Sequence, residues 1–315
     1  MTPNPATLKP RALRAGARLA VLSPASTPRP ELVAAGVAQL ESLGYQVQVS
    51  PHALDRGPLY YAGSIAERVA DLHAAFADLA IDAIVCTRGG WGSAELLPFL
   101  DAGLVRANPK AFVGYSDQTS LQTWLRNETG LVSFYGPMVA ADFSRPDGAE
   151  PASWASALGG ASGWSLGPAQ GLRILKPGLA EGTLGGGCLS ILAEGLGTPY
   201  AARPEGGVLF LEDIGTKPYQ WDRMLLHLRY AGLLNGVAGI VLGDMAQCVP
   251  PAEHPLLESA ILHALRDFAG PIAIGLQSGH VARANVTLPL GIRVRLDLTD
   301  EGNPTMDFLE SAVLG

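Results

Sequence analysis

Residues 64–92 read S-I-A-E-R-V-A-D-L-H-A-A-F-A-D-L-A-I-D-A-I-V-C-T-R-G-G-W-G, and the change of period inside them decides the fold. Ile65, Val69, Leu72, Phe76 and Leu79 recur at spacings of four and three, which places them on one helical face. Ser64 and Glu67 form a capping box, so the spacing predicts a helix over Ser64–Ala80. Asp82–Thr87 (D-A-I-V-C-T) is then a short apolar run of the kind found in a strand buried on both faces. The run ends in glycines, where a parallel strand ends and lets backbone approach a ligand.

The same alternation continues in both directions. Upstream, Arg18–Ser23 reads as a strand and Tyr45–Ser50 as another. Between them Glu31–Gly44 is helical, with Val33, Val37, Leu40 and Leu43 on one face and Gly44 as its stop. Downstream, Ala111–Gly114 is a strand, Ser120–Asn127 a helix ended by Gly130, and Val132–Tyr135 a strand. This order predicts an α/β fold with a Rossmann-like, mostly parallel sheet and helices on both faces. Residues 144–170 carry turn residues with little periodicity and are expected to link a domain over 1–143 to a second over 171–315. In the second half, strands are expected at Gly207–Leu211, Gly239–Leu242 and Ile272–Leu276, and helices near Gln220–Leu234 and Pro255–Phe268. Asn285–Leu298 alternates and is expected to form a hairpin.

Of the 315 residues, 48% are apolar and 16% charged, enough to bury a sizeable core. The net charge of −7, with no dense Lys/Arg run, argues against a nucleic-acid partner and tolerates a cationic or zwitterionic small substrate. No signal peptide is visible at the N-terminus, and no run approaches the roughly 18–20 apolar residues of a membrane helix. Cys86, Cys188 and Cys248 are widely spaced and odd in number, which fits free thiols in a reducing, cytoplasmic compartment and not a zinc site.

Candidate chemistry lies at strand ends. In A-F-V-G-Y-S-D-Q (Ala111–Gln118), Ser116 sits where a strand turns into a helix. Such a turn lifts a hydroxyl clear of the sheet and offers amides to an oxyanion. Gly114 precedes it by two, but Gln118 stands where a hydrolase elbow has a second glycine, and a plain Ser-Asp helix cap is an equal reading. In R-G-G-W-G, Gly89 or Gly90 offers a second oxyanion donor and Trp91 a pocket wall, against a plain turn. V-L-F-L-E-D-I-G (Val208–Gly215) ends a strand in Glu212 and Asp213, either of which could orient a histidine, or cap a helix. Of six histidines, His280 follows the strand Ile272–Leu276 in a loop suited to a general base. His73, His227 and His263 fall inside helical patterns, and His52 and His254 lie beside prolines.

Together R-G-G-W-G, G-Y-S-D, Y-G-P-M (Tyr135–Met138), L-E-D-I-G, D-R-M-L (Asp222–Leu225) and S-G-H, in this order over about residues 17 to 300, resemble the LD-carboxypeptidase family, which includes microcin C immunity relatives. The resemblance implies a Ser116–Glu212–His280 triad, with Ser116 in the N-terminal domain and the acid and base in the C-terminal one. It implies oxyanion donors at the amides of Gly90 and Asp117, and a second domain containing a β-barrel-like sheet. No metal or other cofactor is implied, and a homodimer is. The implied reaction is a serine carboxypeptidase's cleavage of an L,D-amide at the C-terminus of a small peptide, releasing D-alanine from murein tetrapeptide in cell-wall recycling. The alternatives are an immunity-type hydrolase acting on a peptide–nucleotide antibiotic, and a non-catalytic peptide or nucleotide binder.

A free carboxylate calls for a guanidinium. Arg88 and Arg223 are candidates for this substrate contact, or else for structural ion pairs with Asp213, Asp222 or Glu212. Two departures from the family stand out. Cys188 occupies a position where Asn is common and cannot replace an amide's hydrogen bonds, and Trp91 stands where Tyr is common.

Overall fold

The computed structural model describes residues 5–204, 206–245, 247–281 and 284–315. Five of the six strands of the first sheet, β1 (Arg18–Leu22), β2 (Gln46–Val49), β3 (Ala83–Cys86), β4 (Ala111–Gly114) and β5 (Ser133–Tyr135), lie in the order 2-1-3-4-5. All their pairings are parallel. β3 and β4 are buried along their whole length, as strands covered on both faces must be. The covering helices include α1 (Pro30–Ser42), α2 (Ile65–Ala77), α3 (Ala102–Ala107) and α4 (Thr119–Trp124).

The capping box at α2 is formed: the Ser64 hydroxyl accepts from Glu67 N–H at 3.3 Å, and Glu67 Oε2 accepts from Ser64 N–H at 2.7 Å. The helix ends earlier than its period suggests, with Asp78 as C-cap, so Leu79 lies outside it and is exposed. In an open parallel sheet ligands bind beyond the carboxyl ends of the strands, near the point where strand order reverses. Here that point lies between β1 and β3, beside β4.

The stretch 144–170 is not bare chain: it contains α5 (Pro151–Gly159) and β6 (Ser165–Leu166). Glu150 caps α5 by accepting Ser153 N–H at 2.6 Å, and Pro151 starts it, signals hidden among turn-forming residues. Then follow β7 (Arg173–Lys176), β8 (Gly178–Cys188), α6 (Leu189–Glu194), β9 (Val208–Glu212), α7 (Pro218–Tyr230), β10 (Gly239–Gly243), α8 (His254–Ala264) and β11 (Ile272–Leu276). The chain ends with β12 (Leu288–Leu290), β13 (Arg293–Leu298) and β14 (Thr305–Phe308).

The second sheet is mixed, in the order β6-β14-β13-β8-β9-β10-β11-β7. Laid flat, eight strands would hold their edges about 34 Å apart. Yet the edge strands β6 and β7 are joined only by residues 167–172, which with a tight turn at Pro168–Gln170 reach at most about 25 Å. The sheet therefore curls toward a barrel.

The expected hairpin over Asn285–Leu298 does not form. β12 pairs antiparallel with β5 at the edge of the first sheet, while β13 pairs with β8 and β14 in the second. Gly291, at φ +102°, breaks the run, and Pro289, which lacks an N–H, suits an edge strand. Because β12 crosses over, the two halves share one core, in which Phe112, Val113 and Phe134 belong with Phe210, Leu276 and Leu296. A second core packs Trp221, Leu225, Leu228, Ile240 and Ile261 beneath α7 and α8. Among the described residues no helix is long and apolar enough to cross a membrane.

Candidate active site

Ser116 follows β4 after a single residue, Tyr115, and adopts φ +65°, a left-handed conformation that costs a non-glycine residue strain and points to a function. Its N–H donates to the Tyr135 hydroxyl at 3.2 Å. Gly89 faces it so closely that a Cβ there would lie 2.7 Å from Ser116 Cβ and 3.4 Å from Asp117 N. The glycine turn after β3 and the amide after Ser116 thus converge on one spot, as an oxyanion site requires.

Two side chains hold this junction. Gln118, where an elbow usually has glycine, is buried, and its Nε2 donates to Arg88 O at 3.0 Å. Asp117 is buried too, and its Oδ2 accepts Ser93 N–H at 2.8 Å and lies 2.6 Å from the Ser93 hydroxyl. Burial pushes the Asp117 carboxyl above its ordinary pKa, against the hydrogen bonds from Ser93. Gly90, at φ +106°, has no room for a side chain because Ser26 Oγ lies 2.3 Å from where its Cβ would be.

Glu212 ends β9 and is buried. Its Oε2 accepts His280 N–H at 3.0 Å and lies 2.8 Å from His280 Nδ1, and its Oε1 accepts the Tyr135 hydroxyl. Gly279, at φ +90°, leaves the space that Glu212 fills: a Cβ there would lie 2.4 Å from Glu212 Cδ. The neighbouring carboxylate does a different job. Asp213 Oδ2 accepts Ser190 N–H at 2.9 Å in the first turn of α6, and Oδ1 accepts Ile214 N–H at 2.8 Å.

His280 Nε2 lies 3.0 Å from Ser116 Oγ, and the edge of its ring meets Tyr115 at 5.1 Å between centroids. Asn285 braces the loop, accepting Gly279 N–H at 3.0 Å and donating to Gly279 O at 3.1 Å. Burial opposes charge on the imidazole. The charge and hydrogen bond of Glu212, helped by Asp213 and Asp142, outweigh it and raise the His280 pKa. Asp142 is itself pushed up to about 6 by burial.

The structure thus brings Ser116, Glu212 and His280 into one chain of hydrogen bonds, with Gly89 and the Asp117 amide beside the hydroxyl, while Gly90 packs against Ser26. Arg88 is exposed on the glycine turn, with its guanidinium 3.8 Å from the Gly90 Cβ position and no ion pair among the described residues. Trp91 is half-buried, with its backbone N–H on Ser26 Oγ at 3.1 Å. Arg223 is not brought to the triad. It lies on the exposed face of α7, opposite buried Trp221, Leu225 and Leu228, and makes no ion pair with Glu212, Asp213, Asp222 or any other described residue.

Cys188 is buried, with Sγ 3.3 Å from Ser190 Oγ and its N–H on Thr119 Oγ1 at 3.0 Å. Burial, then the charges of Glu212 and Asp213, push its thiol well up, so it stays protonated. Cys188, Glu212 and His280 bring ligand atoms within 4.8 Å of one another, as do His52, Asp55 and Glu67. In each set the partners already have work: Glu212 with His280, Glu67 in its capping box and His52 with Asp71 at 2.9 Å.

Tyr135 is the residue whose role the sequence did not reveal. Its signal was a hydroxyl at the carboxyl end of the strand next to the nucleophile's own.

A hydroxyl, an imidazole and a carboxylate in series, at the carboxyl end of a parallel sheet, form a site for acyl transfer through an activated nucleophile. The chain matches the LD-carboxypeptidase N-terminal domain over residues 19–136 and the LD-carboxypeptidase C-terminal domain over residues 181–296. It is 37% identical over 302 residues to a probable murein peptide carboxypeptidase of Bacillus subtilis, spanning 93% of this chain and 92% of that protein. It is 32% identical over 283 residues to the murein tetrapeptide carboxypeptidase of Pseudomonas aeruginosa, spanning 87% and 91%. Its fold matches the crystal structure of an MccF-like protein from Bacillus anthracis with a TM-score of 0.86 at 28% identity, covering 96% of this chain and 100% of that one. The protein belongs to the LD-carboxypeptidase family and is a carboxypeptidase.

Proposed function

We propose that the protein is a serine-type carboxypeptidase that cleaves the L,D-amide at the C-terminus of a small peptide and releases D-alanine from murein tetrapeptide in the cytoplasm. The observation that carries the reading is His280, with Nε2 3.0 Å from Ser116 Oγ and Nδ1 2.8 Å from Glu212 Oε2. His280 takes the Ser116 proton as Oγ attacks the scissile carbonyl, and Glu212 fixes the tautomer and offsets the imidazolium charge. The amides of Gly90 and Asp117 receive the oxyanion, a contribution of roughly 3–4 kcal/mol per donor. His280 then protonates the leaving amine, and the amide C–N bond breaks. Water, deprotonated by His280, releases the acyl group from Ser116. Arg88, exposed at the glycine turn and without an ion pair among the described residues, is suited to bind the peptide's terminal carboxylate. Three buried cysteines without a disulfide fit a reducing compartment.

The test is D-alanine release from murein tetrapeptide by the wild type and Ser116→Ala. A loss of roughly 10⁴–10⁶-fold is expected, and undiminished release by the variant refutes the assignment. The chain is also 27% identical over 300 residues to a microcin C7 self-immunity protein of Escherichia coli, which favours a microcin-type peptide–nucleotide antibiotic as the second substrate to assay. Exclusive cleavage of that compound would move the protein to the immunity branch.

A further inference from the structure

Arg68 lies on the core-facing side of α2 and is 2% exposed. A buried guanidinium is unfavourable unless its N–H groups find partners. Those of Arg68 reach toward the backbone around the nucleophile. Nη1 donates to Pro24 O and to Gly92 O, each at 2.9 Å, Nη2 to Glu95 Oε2 at 2.7 Å, and Nε to Ser64 O at 3.4 Å. Its flat face rests on the Tyr61 ring, 4.8 Å from Cζ to the centroid. Gly92, at φ +133°, leaves the room, since a Cβ there would lie 2.7 Å from Arg68 Nη1.

Both carbonyls lead to the oxyanion side of the site. The peptide unit that offers Gly92 O to Arg68 offers Ser93 N–H to Asp117 Oδ2 at 2.8 Å, and the Ser93 hydroxyl donates to Asp117 O at 2.6 Å. The guanidinium thus holds one end of this peptide unit, and the residue after the nucleophile holds the other. Pro24 O belongs to the segment that carries Ser26, whose Oγ accepts Trp91 N–H at 3.1 Å in the middle of the glycine turn. One nitrogen, Nη1, therefore joins the two backbone segments that enclose that turn. Burial raises the Asp117 pKa, opposed by its bonds to Ser93 and Gly92 and by the charge of Arg68. The ion pair with Glu95 does not by itself account for burying the cation, because Glu95 is 34% exposed.

We propose that Arg68 is a positioning residue for the oxyanion site: by tying Pro24 O to Gly92 O it fixes the glycine turn against Ser116, so that the amides there meet the charge of the transition state. Arg68 touches neither the substrate nor the reacting atoms. The assignment rests on the carboxypeptidase reading of Ser116. Lysine at this position would keep the charge but lacks the planar fork that spans two carbonyls and a carboxylate.

The experiment follows D-alanine release from murein tetrapeptide, and modification of Ser116 by a fluorophosphonate, in the full-length wild type, Arg68→Lys and Glu95→Gln. Near-UV circular dichroism and the urea midpoint give the folded fraction of each. Per folded molecule, Arg68→Lys should lose about 10²-fold in kcat, the effect of misplaced donors, with KM within about twofold and fluorophosphonate modification slowed in parallel. Calorimetric binding of tetrapeptide to Ser116→Ala and to Ser116→Ala/Arg68→Lys should be equal, because the charge to be met arises only in the transition state. Glu95→Gln, at a half-exposed site, replaces the charge-assisted bond that steadies the fork by a neutral one and should lower kcat about fivefold at unchanged KM. A kcat within about threefold of wild type in folded Arg68→Lys, or a loss that falls on KM and on binding, overturns the proposal and leaves Arg68 a purely structural residue. Where Arg68→Lys does not fold, Glu95→Gln decides: a loss in kcat alone supports the proposal and an unchanged kcat overturns it. A wild type that neither releases D-alanine nor reacts with the fluorophosphonate sinks the hydrolase reading and this proposal with it, whereas an active wild type with unaffected variants sinks this proposal alone.

Discussion

Tyr135→Phe is the most informative single change, because one hydroxyl touches both ends of the relay. It donates to Glu212 Oε1 and accepts Ser116 N–H at 3.2 Å, from a side chain wholly removed from solvent. Burial pushes the phenol well above its ordinary pKa, so it remains a donor throughout the working range. The bond to the carboxylate is charge-assisted and contributes about 1.5–3 kcal/mol; the longer amide contact contributes about 0.5–1.5 kcal/mol. Phenylalanine fills the same volume, so the fold is expected to survive.

Two effects follow. Ser116 loses the acceptor that anchors its strained backbone, and kcat/KM should fall by roughly 10–100-fold, since about 1.4 kcal/mol is a factor of ten. Glu212 loses a donor, so its charge acts more fully on His280, whose pKa is already raised. The base works only as neutral imidazole, so activity rises as pH passes the His280 pKa. A further increase in that pKa must move the acid limb of the kcat/KM profile to higher pH. The assay is D-alanine release across pH 5–9, with the rate of Ser116 acylation by a fluorophosphonate as a substrate-independent check. An activity loss with the acid limb unmoved would mean that the hydroxyl acts through the Ser116 amide alone and not through Glu212. A change within about threefold and no shift would refute the coupling altogether, because even one lost charge-assisted bond predicts more.

Glu212→Gln removes the charge that raises the His280 pKa and leaves burial unopposed, so the acid limb should move to lower pH while kcat drops by about 10⁴-fold. A profile rising at or above the wild-type pH would contradict this. Gly279→Ala places a methyl 2.4 Å from Glu212 Cδ at φ +90°, so the carboxylate must shift. Activity should fall by about 10²-fold and stability by roughly 1–3 kcal/mol, read from the urea midpoint, and wild-type values in both would show that the cradle has slack.

The first sheet was legible because its signals are local. The period through Ile65, Val69, Leu72 and Phe76, the Ser64 cap and the buried runs of β3 and β4 each depend on a dozen residues or fewer. Positions for Ser116 and His280 followed from strand ends. The choice between Glu212 and Asp213 did not, because consecutive strand residues face opposite ways and β9 is buried at all five positions, leaving no alternation to fix the phase. β8 escaped notice because glycines dilute its strand signal. They are required by close approach: a Cβ on Gly186 would lie 1.9 Å from Phe210 O, and one on Gly187 2.6 Å from Thr119 Oγ1. Tyr135 escaped because its partner Glu212 is 77 residues away, a relation only the folded chain creates.

The crossing of β12 explains why a triad drawn from two sheets can be held to hydrogen-bond tolerance. Leu288 pairs in register with Tyr135, so the segment that carries His280 is anchored to the residue that holds Ser116 and Glu212. On the approach to β12, Val286 N–H bonds Gln277 O at 2.8 Å and Ser278 Oγ bonds Val286 O at 2.9 Å. Glu150 N–H reaches Asn285 O at 3.0 Å from the stretch expected to be a linker. The histidine loop is therefore braced from the first sheet, from the second and from the connection between them. A hinge between the halves would have to break the β5–β12 ladder and open a core shared by Phe134 and Phe210 before the relay could come apart. Conformational change during turnover should thus be confined to the walls of the cleft, Trp91, Arg88 and the rim around Tyr200, where substrates are told apart, and should spare the three groups that do the chemistry.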